Sequence, residues 1–288
     1  MIKRIIIVSA IPLGLIIFLI LIVFAKQQSL SPLKKAQGAY LSKATTLIDA
    51  GEFEKAEIEL NKAEFLGRNE KTNQIEGRYY FRQKDYTKAL TYLERSAVTP
   101  ESKEFLGITY IKLSKYDEAR NVFKSLIAKE DTEKRREYYL QSILSNGESE
   151  LGLEESNIAL EIYPLNALFK KYAELLNDIE GKSSETAYDY LLNANWFLEN
   201  NYPKTALNLI QKSKIALPAY RDAYLVEAEC YNNLGDADAS IGSLKTAAEI
   251  DNYYYLTHVK LSEAYQKIGD MKRKEESLTR AKLLGYTP

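Results

Sequence analysis

The sequence contains one cysteine, Cys230, and one histidine, His258. Cys230 therefore has no partner for an internal disulfide, and the two residues fall short of the set a zinc site or a haem attachment motif needs. A Ser–His or Cys–His relay could exist in at most one copy. An excess of charge is missing too: 39 Lys and Arg stand against 40 Asp and Glu, a net charge of −1. No basic field is present to hold a phosphate backbone, so nucleic acid is not expected as a partner. Phosphate loops of the Gly-x-x-x-x-Gly-Lys kind, Gly-x-Gly-x-x-Gly, Gly-x-Ser-x-Gly and His-Glu-x-x-His are all absent. Carboxylates are plentiful, as at Glu148, Glu150, Glu154 and Glu155, but such a run reads as a solvated helix face rather than an acid/base pair. No catalytic residue, cofactor, metal ligand or small-molecule substrate is expected, and the chain is not read as an enzyme.

What is present begins with a long apolar run. From Ile5 to Ala25 there is no charge and only Ser9 is polar; as a helix these residues would span about 31 Å, close to a bilayer's hydrocarbon thickness. The run is read as a transmembrane signal-anchor, with a cleaved signal peptide as the alternative because Lys3 and Arg4 precede it and Val23-Phe24-Ala25 offers small residues. The expectation is a single-pass protein of a bacterial inner or cytoplasmic membrane with its body on the extracytoplasmic side. Lys26, Lys34 and Lys35 leave the cytoplasmic orientation open.

Beyond the run, segments of helical periodicity alternate with short breaks such as Ala50-Gly51-Glu52, Lys84-Asp85, Leu234-Gly235-Asp236 and Ile268-Gly269-Asp270. Prolines are few, and Pro100, Pro164 and Pro218 fall where one helix should stop and the next begin. Aligning the breaks exposes a repeat. Small residues recur at Ala44, Gly77, Gly107, Ala194, Ala228 and Ser262, with Leu140 as the exception. Twelve residues later come Ala56, Ala89, Ala119, Gly152, Ala206 and Ser240, with Lys274 departing, and seven after that Ala63, Ser96, Ala159, Ser213, Ala247 and Ala281, with Leu126 departing. Bulky residues hold fixed offsets between them, at Leu47, Tyr80, Tyr110, Ile143, Phe197, Tyr231 and Tyr265 and again at Leu60, Leu93, Phe123, Ile210, Leu244 and Leu278, where Ser156 breaks the second set. Two antiparallel helices approach closely only where side chains are small, with bulky neighbours filling the space on either side.

This pattern resembles the tetratricopeptide repeat, a helix-turn-helix unit of about 34 residues. Gly51-Glu52-Phe53-Glu54-Lys55-Ala56, Lys84-Asp85-Tyr86-Thr87-Lys88-Ala89 and Lys115-Tyr116-Asp117-Glu118-Ala119 look like the family's turn and second-helix start. The resemblance implies an all-α solenoid, here preceded by one transmembrane helix. First small sites are spaced 33, 30, 33, 54, 34 and 34 residues apart, and the long interval makes room for an extra helix at Asn166–Asn177 followed by a loop at Glu180–Ser184. The expected division is a transmembrane helix over 1–25, a linker over 26–35, about four repeats over 36–165, the extra helix and loop over 166–186, and about three repeats with a charged C-terminal cap over 187–288. Pairing Asn166–Asn177 with the helix of Trp196 is the alternative.

In this family the concave face lined by the first helices holds a segment of a partner protein. Counting from the first small sites, that face would include Arg78, Arg82 and Lys112 in the early repeats, diluted by Asp49, Glu101 and Glu104. In the later repeats it would include Tyr188, Leu191, Leu192, Leu225, Val226, Leu256 and Val259. The early set could meet an acidic segment or be an intermixed surface; the later apolar stripe could meet a partner helix or hydrophobic segment, or be internal packing. The family's carboxylate-clamp placements are missing from the early repeats. His258 and Cys230 read as packing residues. The function these features imply is a membrane-anchored protein-binding scaffold or assembly factor, with a chaperone-like holder of exported or membrane clients as the alternative.

Overall fold

A computed structural model of the chain describes residues 32–96, 98–177 and 186–287. It divides into two compact units, one up to Thr109 and one from Tyr110 onward. The first holds helices α1 (32–49), α2 (Phe53–Phe65), α3 (Glu70–Arg82) and α4 (Tyr86–Leu93), and α5 (Pro100–Lys112) runs across the division. The second continues with α6 (Tyr116–Ile127), α7 (Glu133–Asn146), α8 (Ser149–Ile162), α9 (Ala167–Asn177) and α10 (Ala187–Glu199). It ends with α11 (Pro203–Ala216), α12 (Arg221–Leu234), α13 (Ala237–Ile250), α14 (Tyr255–Lys267) and α15 (Met271–Leu283). The described residues are all-α, in helical hairpins of the tetratricopeptide type. Among them no helix is long and apolar enough to cross a membrane. That finding overturns the single-pass membrane placement, and it is withdrawn. Ile5–Ala25, on which it rested, and the linker to residue 31 lie outside the described residues.

One turn geometry recurs seven times. The N–H groups of Glu52, Asp85, Lys115, Glu148, Tyr202, Asp236 and Asp270 donate back to the carbonyls of Leu47, Tyr80, Tyr110, Ile143, Phe197, Tyr231 and Tyr265 at 2.8–3.2 Å. These acceptors are the first set of bulky repeat residues. Each bond closes a Schellman-type helix end, which requires one left-handed residue just before the donor. Gly51, Gly147, Gly235 and Gly269 adopt that conformation without a Cβ clash, but Lys84, Ser114 and Asn201 take it as well, at φ of 65°, 58° and 66°. All seven donors are the N-cap residues of the helix that follows, and in three of them the side chain caps it. The Asp85, Asp236 and Asp270 carboxylates accept from the N–H groups of Lys88, Ala239 and Arg273 at 3.0–3.1 Å, capping the helix that follows. A single aspartate thus ends one helix and begins the next.

Close contact between helices follows from the small sites. Ala44, Ala56, Ala63, Ala89, Ala119, Ala159, Ala194, Ala206, Ala228, Ala247 and Ala281 are all buried. A Cβ added at Gly77 would lie 2.6 Å from Leu93 Cγ, and one at Gly152 would lie 2.7 Å from Leu144 Cδ2. At two of the small sites held by serine the hydroxyl uses a helix carbonyl: Ser96 Oγ donates to Tyr92 O at 2.8 Å and Ser213 Oγ to Ala187 O at 2.6 Å. Such bonds remove most of the cost of burying a hydroxyl. In α15 Ala281 is the single buried residue, and Lys274, at the position where other repeats carry a small side chain, is half-buried.

The regular succession breaks at α9. Asn166 caps this helix by accepting from Phe169 N–H at 2.9 Å, and Phe169, Tyr172, Leu175 and Leu176 bury one of its faces. It packs on α8, while α10 pairs with α11. The N-terminal half of α11 reaches back to α7, where Thr205 Oγ1 donates to Leu144 O at 2.6 Å and Asn208 Nδ2 to Gly147 O at 2.8 Å. Tyr172 and Tyr202 join hydroxyls at 2.8 Å inside this junction, with Trp196 and Phe197 edge-on and stacked about Tyr172. The loop expected at Glu180–Ser184 lies outside the described residues.

Two substitution pairs test this account by thermal or urea denaturation. Ala89→Leu overfills a fully buried site and should destabilise by about 1–3 kcal/mol, whereas Lys88→Leu on the exposed side of the same helix should change stability by less than about 0.5 kcal/mol. Equal shifts for the two would place the small sites in the wrong register. Gly235→Ala should cost about 1 kcal/mol in its left-handed turn, while Lys84→Gly in the equivalent turn should stabilise by up to about 1 kcal/mol.

Candidate functional site

The later apolar set converges. Tyr188, Leu191, Leu192, Leu225, Val226 and Leu256 line one concavity of about 330 Å³ on α10, α12 and α14, the first helices of the last three repeats. They differ in role. Tyr188 and Leu192 are open to solvent, Val226 and Leu256 are half-buried, and Leu191 and Leu225 are 5% and 7% exposed. Leu191 and Leu225 are therefore a floor that packs helices together, a correction to reading the whole stripe as surface. Val259 is half-buried and does not line the concavity.

Polar residues border this floor. Asn195, Asp222, Glu229 and Lys260 complete the lining together with Tyr220. Lys260 Nζ pairs with Glu229 Oε2 at 3.4 Å. Asp222 accepts from Arg221 at 2.7 Å, and the same guanidinium reaches Asp251 at 2.7 Å and lies 3.7 Å from the Tyr254 ring centroid. The apolar count passed over these border residues. The offsets of one after and six before the small sites already pointed to Asn195, Glu229 and Asp222; Tyr220, ahead of its helix, has no such signal.

The early basic set does not form a comparable site. Arg78 is bonded to Asp49, lies 3.1 Å from Glu101, and sits over the Phe105 ring with its carbon 5.4 Å from the centroid. It lines a smaller concavity of about 180 Å³ with Thr45, Lys71, Gln74 and Ser102. Arg82 is exposed and lines a separate concavity beside Glu54 and Glu57. Lys112 is exposed in the last turn of α5. Two of the carboxylates expected to dilute the field, Asp49 and Glu101, thus pair with Arg78 directly.

The two candidates for unusual chemistry are packing residues. Cys230 is buried, and burial pushes its thiol up to about 12, so it stays protonated at neutral pH and supplies no thiolate. His258 is 7% exposed, with Nε2 3.1 Å from Asn252 O. Among the described residues no group of three or more His, Cys, Asp or Glu could hold a metal ion.

The family model of the anaphase-promoting complex, cyclosome, subunit 3 matches residues 49–126. Among solved structures, a tetratricopeptide repeat protein from Parabacteroides merdae is 13% identical over 88% of this chain and 94% of its own, with a TM-score of 0.44. The TPR2AB-domain:pHSP90 complex of yeast Sti1 is 15% identical over 87% and 91%, with a TM-score of 0.36. MamA from Desulfovibrio magneticus is 18% identical over 76% and 96%, with a TM-score of 0.32. No curated protein matches the chain.

Adjacent leucines test the division into floor and surface. Leu191→Glu should lower the melting temperature sharply, because it forces a carboxylate into the packed floor at a cost of several kcal/mol. Leu192→Glu, one residue on, should melt within a few degrees of the parent. Two equally collapsed melts, read by circular dichroism, would mean the whole stripe is internal packing.

Proposed function

We propose that the chain is a protein-binding scaffold, and that the concavity on α10, α12 and α14 receives an apolar segment of a partner protein. The observation that carries this reading is the pairing of exposed Tyr188 and Leu192 with a rigid, buried Leu191–Leu225 floor. An apolar surface already held in shape loses little freedom on binding, which favours occupancy by a complementary segment. The short early concavity, with Arg78 already paired, offers no such surface.

A holder of unfolded clients is the second reading. Large apolar residues also stand in water elsewhere, with Phe65 90%, Leu165 97%, Ile215 71% and Leu283 75% exposed. Scattered contacts of this kind support weak binding to many apolar segments. The scaffold reading expects one stoichiometric partner to be captured from source-cell extract by the full chain and lost with Leu192→Glu. Its affinity should fall at least ~10-fold, or about 1.4 kcal/mol. A smear of clients retained by the variant would support the holder, and an undiminished single partner would move the binding surface elsewhere.

A further inference from the structure

Resting on that proposed groove, we infer that its occupant is a segment that joins large apolar side chains to lysine or arginine, rather than to acidic residues. The charge of the lining carries the inference. Asp222 and Glu229 stand at the border against the single cation Lys260, which leaves one negative charge in excess. Arg221, behind Asp222, is divided between that carboxylate and Asp251 and is held over Tyr254. Glu229 is an exposed residue whose contact with Lys260 is long, at 3.4 Å. An incoming ammonium or guanidinium can therefore reach Glu229 beside Lys260 without breaking a buried pair, and such border charges choose among partners more than they add affinity.

The apolar and acidic groups are placed to be used by one chain. On α12, Asp222, Val226 and Glu229 are four and then three residues apart, so two carboxylates flank an apolar side chain on one helical face. On α10, Tyr188 and Leu192 form a four-residue apolar pair with no charge at the lining. A segment crossing from α10 to α14 passes over three helices, about 20 Å at ordinary interaxial distances. It would meet apolar surface first, then the carboxylates of α12, then Lys260 on α14. The early concavity has no such excess, since Arg78 is paired with Asp49 and Glu101 and Lys71 stands beside them.

The test uses the purified full chain and two fluorescein-labelled 12-residue peptides with the same leucine and phenylalanine positions, one carrying four lysines and the other four glutamates. Fluorescence polarisation at about 50 mM salt should show the lysine peptide binding at least ~10-fold more tightly, with the difference shrinking at about 300 mM salt as screening grows. Glu229→Lys turns the excess of one negative charge into one positive and should equalise or reverse the preference, with an unchanged melt. Leu192→Glu should weaken both peptides, the lysine peptide at least ~10-fold and the glutamate peptide further. Equal binding of both peptides, with both lost in Leu192→Asn, would keep the groove and overturn the charge inference. No binding of either peptide, or binding that none of the three variants alters, would overturn the groove together with its proposed occupant.

Discussion

Everything in both units depends on how closely two antiparallel helices can lie, and on a turn that brings them there in one fixed register. The turn is set by a single backbone bond, from the residue after a left-handed position to the carbonyl of a bulky first-helix residue. Because that bond is accepted by a bulky packing residue, each turn ties the direction of the chain to the side chain that fills the space between helices. The small residues then let the second helix descend against the first. Lys84, Ser114 and Asn201 show how strictly the geometry is imposed, since each adopts a conformation that costs a side-chain-bearing residue about 1–2 kcal/mol relative to glycine.

The groove is a consequence of that register. Fixing the rotation of α10, α12 and α14 places Leu191 and Leu225 inward and turns Leu192 and Val226 toward the concavity. Successive helix residues point about 100° apart, so one position decides between core and surface. The same constraint explains the break at α9. That helix occupies the side of α8, and the α10–α11 hairpin closes the gap by direct contact between α11 and α7 through Thr205 and Asn208. The first-helix concavity of the last three repeats is thereby a short surface built on α10, α12 and α14 alone.

Much of this architecture is legible in the sequence because packing demands small residues at particular heights. The positions read as small are buried, and even the exceptions obey the physics: Leu126 and Leu140 are 1% exposed, filled rather than vacated. The fourth repeat carries both Leu140 at a small site and Ser156 at a bulky one, a shift of bulk from one helix to the other, with Ser156 Oγ bonded to Gly152 O at 2.6 Å. The candidate site was less legible. Offsets locate a helix face only to within one residue, so Leu191 and Leu192 read alike although they differ from 5% to 48% exposed. Arg78 and Arg82 fall on the expected concave face by their offsets from Gly77, but the ion pairs of Arg78 to Asp49 and Glu101 come from other helices and leave no local trace. The apolar start suggested a membrane span, and hydropathy alone could not assign a location to the body.

Amide hydrogen exchange followed by NMR tests the central claim most directly, by comparing the seven turn amides of Glu52, Asp85, Lys115, Glu148, Tyr202, Asp236 and Asp270 with their exposed neighbours. Each of the seven should exchange at least ~100-fold more slowly than an unbonded amide, because its N–H is held to the bulky residue five positions back. Full-speed exchange at these seven positions, with protection displaced by one residue or lacking any repeat, would contradict the account.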